Sequence, residues 1–282
     1  MEKSAVRSRK MKFSVLMSVY GKEKPEYLKE SLNSLLCQTR LPDQVVMVED
    51  GPLTEGLYQV LDEYEKRFSD FKRVVNQQNL GLGKALEKGL LACDHPLVAR
   101  MDTDDIAFPD RFAVELKEFE EDPELDICGS HTEEFEGDIS HVVSIKKVPL
   151  TNEEIRRYAK KRNPFNHPTE MLKKSAVLAA GNYQHALGFE DYYLWVRMLQ
   201  NGAKGKNIDR CLLHFRAGAD MFKRRGGVKY IKNAVSVKWM FYQTGFLSFW
   251  EFLCYSAAHT AVSLMPNSLR SAVYTKFLRS KG

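Results

Sequence analysis

The chain has 282 residues, 44% apolar and 28% charged, which excludes a disordered or low-complexity protein and allows one large domain or two small ones. The net charge of +5 is too small to mark a nucleic-acid binder, but it is unevenly placed. Residues 221–282 hold ten Lys/Arg against one acid, Glu251, while residues 1–220 carry a net −4, so an acidic body precedes a basic tail suited to an anionic surface.

Residues 13–20 form a short apolar run that stops at Gly21, the mark of a buried strand. Pro25 opens a helix with Leu28, Leu32, Leu35 and Leu36 on one face. A second strand at 45–48 ends in Glu49, Asp50 and Gly51, and a helix follows over 57–68. A third strand spans 71–75, a loop 76–83, a helix 84–92 and a fourth strand 97–101, which runs into Asp102-Thr103-Asp104-Asp105. Strand and helix alternate throughout, so this half predicts an α/β fold with a mostly parallel central sheet covered by helices on both faces. Ligands of such sheets bind beyond the carboxyl ends of the strands, where Tyr20, Asp50, Asn79 and the 102–105 cluster stand.

The second half is less regular. A helix is expected from Pro109 to about 121, strands at 125–129 and 140–148 with an acidic hairpin-like loop between them, and helices at 152–161, 173–180 and 189–199. Glu133, Glu134, Glu136 and Asp138 fall in that loop. Residues 1–12 are basic, but the apolar run after them is too short for a secretory signal, and the five cysteines form no CxxC pair. Both features predict a protein of a reducing compartment, in the cytosol or on the cytosolic face of a membrane.

Three carboxylates within four residues after a buried strand repel one another unless a cation sits among them. Asp102, Asp104 and Asp105 therefore suit a hard divalent ion that also takes phosphate oxygens, whereas a helix cap needs only one acid. Asp50, at a strand end beside Gly51, can accept hydrogen bonds from a base or ribose, or serve as a turn former. Residues 79–84, NLGLGK, have a phosphate-loop look without the Walker ending or GxGxxG spacing. Glu190 and Asp191 stand at a helix start, as caps or as a general base. His167 lies between Asn166 and Pro168.

Taken in order, FSVLMSVYG (13–21), SLNSLLCQT (31–39), VVMVEDGP (45–52), NLGLGKALEKGL (79–90), ARMDTDDIAFPDRF (99–112), NPFNHPTEM (163–171), GFEDYYLWVRML (188–199) and LLHFR (212–216) resemble family 2 glycosyltransferases of the GT-A fold. The nearest likeness is to bacterial enzymes that build O-antigen and exopolysaccharide repeat units. The resemblance implies an inverting transfer of a hexose or N-acetylhexosamine from a UDP-sugar with Mn²⁺ or Mg²⁺. It implies that Ser18, Val19 and Tyr20 line the base pocket and that Asp50 holds the uracil edge. Lys84 and Arg100 would lie near the nucleotide, and Asp102 and Asp104 would form the DxD pair around ribose, phosphate and metal, with Asp105 a further metal ligand. Asp191 would be the general base, Glu190 the next candidate, and His167 and Arg216 polar residues near the active site.

The expected domains are a catalytic domain over 1–220, with a nucleotide half at about 12–112 and an acceptor half at about 113–220, and a helical tail over 221–282. Residues 239–265 are aromatic but interrupted by Gln243, Glu251 and His259, too much so for a spanning helix. Lys223, Arg224, Arg225, Lys229, Lys232 and Lys238 precede that stretch, and Arg270, Lys276, Arg279 and Lys281 follow it. The tail is thus read as helices lying on an anionic membrane surface, against the alternative that its aromatics pack on the catalytic domain. Membrane docking would suit a polyprenyl-diphosphate-linked saccharide acceptor at the cytoplasmic face of the inner membrane. Two other functions compete. A nucleotidyltransferase needs a basic Gly-rich loop near the N-terminus, which YGKEK (20–24) matches poorly, and a non-catalytic sugar-nucleotide-binding or scaffold protein predicts a lost DxD or base, yet both are present. GxGxxG is missing after the first strand, against a dehydrogenase.

Overall fold

A computed structural model describes residues 11–186, 188–218 and 226–266. The first half runs β1 (Phe13–Val19), α1 (Pro25–Leu36), β2 (Gln44–Asp50), α2 (Glu55–Glu65), β3 (Phe71–Asn76), α3 (Leu82–Ala92) and β4 (Leu97–Arg100). Pro25 presets the first turn of α1, and the Thr54 hydroxyl accepts from the Leu57 N–H to cap α2. The second half runs β5 (Ile106–Ala107), α4 (Arg111–Glu121), β6 (Leu125–Phe135), β7 (Val142–Lys146), α5 (Asn152–Ala159), a 3₁₀ turn (His167–Thr169), β8 (Met171–Lys173), α6 (Lys174–Ala179), α7 (Glu190–Gln200) and β9 (Lys204–Arg216). Helices α8 (Val228–Gln243) and α9 (Phe249–Leu264) follow.

The described strands join one sheet in the order β3-β2-β1-β4-β8-β6-β9-β5, with β7 paired to β6. The expected parallel arrangement holds for β3-β2-β1-β4 and for β6–β9. β8 enters antiparallel to both β4 and β6, and β5 and β7 also pair antiparallel. The second half is therefore a mixed sheet extending the parallel one.

Two apolar layers clamp the sheet. Phe13, Val15, Met17, Val45 and Met47 face Leu28, Leu32, Leu61, Tyr64 and Phe112 of α1, α2 and α4. Leu16, Val46, Val48, Val98 and Leu172 face α3, α6 and α7 through Leu86, Leu90, Val177, Trp195 and Met198. The alternation along β1 and β2 is what a strand buried on both faces requires. On the α3 side the packing is close: a Cβ on Gly89 would lie 2.4 Å from Leu16 Cδ1 and 2.6 Å from Val48 Cγ2.

Three features differ from the sequence expectation. β6 extends to Phe135, so Glu133 and Glu134 lie in a strand, not in a loop, and the buried Glu134 carboxylate accepts a hydrogen bond from Ser144. The long strand β9 is absent from the sequence expectation; residues 204–210 are largely polar, and pairing with β6 orders them. The helix expected from Pro109 begins at Arg111. Arg111 is fully buried, pairs with buried Glu115 at 2.9 Å, and donates to the Arg100 carbonyl at 2.8 Å, which ties α4 to the end of β4.

The tail helices pack on the rest of the chain by one face. Val237 and Phe241 of α8 and Leu247 form a third apolar cluster with Tyr192 and Val196 of α7. The other side leaves Trp239, Phe249 and Leu253 at 40–47% exposure and Trp250 at 73%. No described helix is long and apolar enough to cross a membrane. The boundary at residue 220 and the bases Lys223, Arg224, Arg225, Arg270, Lys276, Arg279 and Lys281 lie outside the described residues.

Candidate active site

The carboxyl ends of β1, β2 and β4 open on one side of the sheet, and the segment after β4 carries the acidic cluster. Oxygens of Asp102, Asp104 and Asp105 all lie within 4.8 Å of one another. Asp105 is fully buried; its Oδ1 accepts from the Arg216 N–H at 2.9 Å and its Oδ2 has no partner. Burial first, then the charges of Asp104 and Asp102, hold the Asp105 carboxyl well above the usual carboxylate range. Burial, Asp102 and Glu23 together push Asp104 up to about 7. Glu23 itself is raised by burial and by Asp102, and accepts from the Thr103 hydroxyl at 3.4 Å. Crowded acids with an orphaned oxygen fit a divalent cation with oxygen ligands, which would relieve both repulsion and orphaning.

Arg216, at the end of β9, fastens this segment. Besides its N–H on Asp105, its Nε donates to the Asp104 carbonyl at 2.9 Å, and its guanidinium pairs with Glu30 of α1. The same guanidinium stacks 4.0 Å from the Tyr27 ring and 4.6 Å from that of Phe135. Beneath Asp102, Arg100 is 1% exposed and donates to Asp102 Oδ1 at 2.6 Å, leaving its Nε and Nη1 without partners. Buried Glu170 lies in its field, with both oxygens unpartnered, and burial holds its carboxyl well above the ordinary range. Neither Glu23 nor Glu170 stands out in the sequence. Glu23 lies in the turn after β1, and Glu170 lies between Thr169 and Met171 just before β8, so only the fold brings them to the cluster.

On the neighbouring strands, Tyr20 is 41% exposed and Ser18 half-buried, and the Ser18 carbonyl accepts from Thr103, so β1 abuts the acidic segment. The Val19 side chain is buried in the core, which leaves its backbone for a ligand. Asp50 is 3% exposed, and its carboxylate accepts from the N–H groups of Leu80 and Gly81, both at 2.9 Å, and from Asn76 at 3.0 Å. Its direct work in this structure is to fix the loop before α3. Gly51 lets that loop approach, since a Cβ there would lie 2.7 Å from Asn79 N and its φ is +91°. Lys84 is on the surface of α3, paired with Glu87 at 2.7 Å.

The start of α7 closes the site from the far side. A Cβ on Gly83 would meet Glu190 Cγ at 2.5 Å, so α3 and α7 touch there, and Glu190 accepts from the Gly188 N–H at 3.1 Å. Asp191 accepts from Asn163 Nδ2 at 2.6 Å. Burial raises its pKa against the lowering effects of the helix-start N–H of Tyr192, of Asn163 and of Lys146. Asp191 and Asp102 line one cleft of about 1030 Å³, together with His167, Lys146 and faces of α8 and α9. His167 is 3.1 Å from the Tyr183 hydroxyl, and burial holds its imidazole well below the ordinary range, so it is neutral. Asp102 of the acidic cluster and Asp191, a carboxylate of raised pKa, thus line one cleft, a pairing that suits a displacement at a phosphorylated carbon.

Residues 14–180 match the family described as Glycosyl transferase family 2. The chain is 38% identical to the UDP-Gal:alpha-D-GlcNAc-diphosphoundecaprenol beta-1,3-galactosyltransferase of Escherichia coli, over 95% of this chain and 97% of that one. It is 41% identical to the amylovoran biosynthesis glycosyltransferase AmsE of Erwinia amylovora, over 94% and 98%. Its fold is similar to that of S. aureus TarS 1–349 in complex with UDP-GlcNAc, with a TM-score of 0.64 at 17% identity, over 95% of this chain and 73% of that one. In another TarS structure the chain matches 44% of the TarS chain. It is also similar to the mannosyltransferase PcManGT of Pyrobaculum calidifontis in complex with GDP-Man and Mn²⁺, with a TM-score of 0.63 at 14% identity, over 94% and 79%.

Proposed function

The chain belongs to glycosyl transferase family 2 and is a glycosyltransferase, and from that premise we propose its reaction: inverting transfer of a hexose or N-acetylhexosamine from a UDP-sugar to a polyprenyl-diphosphate-linked saccharide in surface polysaccharide synthesis. The relative named for UDP-Gal and GlcNAc-diphosphoundecaprenol supports galactose onto such an acceptor as the first combination to try. The observation that carries the reading is one cleft lined by both Asp102 of the acidic cluster and Asp191.

In this reading the donor lies across the ends of β1 and β2, its base against Tyr20 and the backbone of residues 18–19. Asp50 shapes that pocket through the 79–81 loop. Asp102, Asp104 and Asp105 would hold Mn²⁺ or Mg²⁺, which supplies Lewis-acid stabilisation of the charge that gathers on the leaving diphosphate. Asp191 takes the proton of the acceptor hydroxyl as its oxygen bonds to the anomeric carbon. The bond from that carbon to UDP breaks on the opposite face, and UDP leaves with the electron pair. No covalent sugar–enzyme bond forms, so no second nucleophilic carboxylate is needed, and Glu190 is read as supporting the start of α7. Residues 1–220 would form the catalytic domain. The tail helices would rest on the anionic cytoplasmic face of the inner membrane through their exposed aromatics.

The test is a transfer screen. Purified protein meets UDP-, GDP- and dTDP-sugars with Mn²⁺ or EDTA and a synthetic GlcNAc-diphosphate-lipid, beside Asp104→Ala and Asp191→Asn. Metal-dependent product from one UDP-sugar, lost in both variants, supports the whole reading. Metal-dependent UDP binding with no product overturns the acceptor. No nucleotide binding overturns the reaction and favours a scaffold.

A further inference from the structure

Past Asp102 and Asp191 the cleft changes character. Its far end lies between the turn after α5 and the facing sides of α8 and α9, and five basic side chains line it: Lys161, Arg162, Lys229, Lys238 and His259. Among the described residues, none of Lys161, Arg162, Lys229 and Lys238 has a carboxylate partner, whereas their neighbour Lys160 pairs with Glu251 at 2.8 Å. Lys238 is 4% exposed, and its ammonium donates to the Tyr255 carbonyl at 2.5 Å, one acceptor for three N–H bonds. His259 Nε2 is buried without a partner. Burial and the Arg162 charge push Lys238 down to about 8; burial, Lys238 and Arg162 push His259 down to about 4.

Lys238, a buried ammonium without an acid, costs free energy, and the more exposed Lys161, Arg162 and Lys229 add to the positive field there, while His259 is neutral. The acids that line the cleft are each already engaged: Asp102 with Arg100, Glu134 with Ser144, Asp191 with Asn163. The cations come from two separate parts of the chain, the α5 turn and the tail helices, which their packing brings together. Beside them Ala234, Val237, Ala258 and Val262 give the cleft an apolar margin. A ligand that suits both is a phosphorylated headgroup with an alkyl chain attached.

We propose that this end of the cleft is a diphosphate subsite for the acceptor, in which Lys161, Arg162 and Lys229 contact the phosphates, Lys238 and His259 form the floor, and the α8–α9 margin takes the first carbons of the lipid. The proposal rests on the acceptor reading above. It assigns the tail helices a share of the active cleft besides any role at a membrane. The donor also carries a diphosphate, so the experiment separates the two.

The test uses the full chain with a UDP-sugar and three acceptors: GlcNAc-diphosphate-alkyl, GlcNAc-monophosphate-alkyl and GlcNAc-alkyl. Arg162→Gln and Lys229→Gln, singly and together, are compared with wild type. The expected result is a KM for the diphosphate acceptor raised about tenfold per lost cation. KM for the phosphate-free acceptor and the affinity for UDP should change less than about twofold, because neither uses these charges. An equal rise for all three acceptors, no rise at all, or a parallel loss of UDP affinity overturns the subsite. If wild type makes no product with any acceptor, the acceptor reading fails. Calorimetric titration of GlcNAc-diphosphate-alkyl onto the UDP-saturated protein then decides the subsite by itself. Binding that the double variant loses supports it; binding equal in both, or absent in wild type, overturns it.

Discussion

Asn163 Nδ2 sits 2.6 Å from Oδ2 of Asp191, so the carboxylate proposed to take the acceptor's proton is held by a side chain from a different element. That bond favours the charged form and opposes the desolvation that raises the Asp191 pKa. The base works only when ionised, so activity falls as pH drops through a midpoint above the ordinary carboxylate value. Asn163→Ala removes a lowering contribution, and the acid limb of the kcat profile should move to higher pH with the plateau largely kept. Asp191→Asn should instead cut kcat by about 10²–10⁴ at every pH, with UDP affinity unchanged. A limb that stays in place in Asn163→Ala would separate Asp191 from the proton transfer.

Metal removal should be visible without turnover. Without a cation, Asp104 titrates at about 7 and Asp105 lies well above the carboxylate range. The folded chain then binds more protons than the unfolded chain between the ordinary carboxylate pKa and about 7, so its stability falls as pH rises through that window. A divalent cation reverses this by favouring the ionised forms, and its binding at pH 7 should release about one proton. Calorimetry of Mn²⁺ binding in buffers of different ionisation enthalpy measures that release. Asp105→Asn should abolish it, and the Mn²⁺-dependent rise in Tm with it.

Asp50 offers a way to test the loop before α3. Asp50→Ala leaves the N–H groups of Leu80 and Gly81 without their acceptor, at a cost of about 1–3 kcal/mol for each that stays dry. The loop should loosen, and Kd for UDP should rise about tenfold while the Mn²⁺-induced Tm shift persists. Asp50→Asn keeps one acceptor oxygen and should lie between. If UDP binds Asp50→Ala as well as wild type, the 79–81 loop is not part of the nucleotide pocket.

Gly89 sets two effects against each other. In a helix interior Ala is favoured over Gly by about 1 kcal/mol. Here the added methyl would sit 2.4 Å from Leu16 and 2.6 Å from Val48, where α3 packs on β1 and β2. Overpacking of that kind costs about 1–3 kcal/mol, so the clash should win and Gly89→Ala should lower Tm by several degrees. Chemical denaturation would check the sign: a midpoint at or above wild type means that α3 can shift away from the sheet.

The parallel half of the fold was legible because β1, β2 and β4 are buried on both faces and read as apolar runs, each closed by a polar residue at its functional end. The acidic cluster was legible for the same reason. β9 was not, since Lys204, Lys206, Asp209 and Arg210 are charged and its ordering comes from β6, far away in the chain. The burial of Glu134 and Glu170 was hidden, because nothing local tells an exposed glutamate from a buried one. The engagement of Asp50 by the 79–81 loop was hidden likewise: Asp-Gly announces a turn, not which backbone groups will close on the carboxylate. In the tail, composition pointed to helices, but their division into a packed face and an exposed one depends on contacts with α7.

That exposed face is the subject of the last prediction. Trp250 at 73% and Phe249 at 47% stand at the start of α9, with Trp239 at 43% on α8, and the Ser248–Glu251 capping box fixes the helix that presents them. Burying one large aromatic in an interface contributes about 1.5–3 kcal/mol, and basic residues near an anionic surface add about 1 kcal/mol each. Wild type should therefore co-sediment with vesicles containing phosphatidylglycerol and be released by high salt. Phe249→Ser with Trp250→Ser should weaken sedimentation at least tenfold, with Tm held near wild type because neither ring is in a buried cluster. If the double variant sediments like wild type, the aromatics are not the anchor and attraction by the basic residues alone must hold the tail to the surface; if wild type does not sediment at all, the exposed face of α8 and α9 has no membrane role.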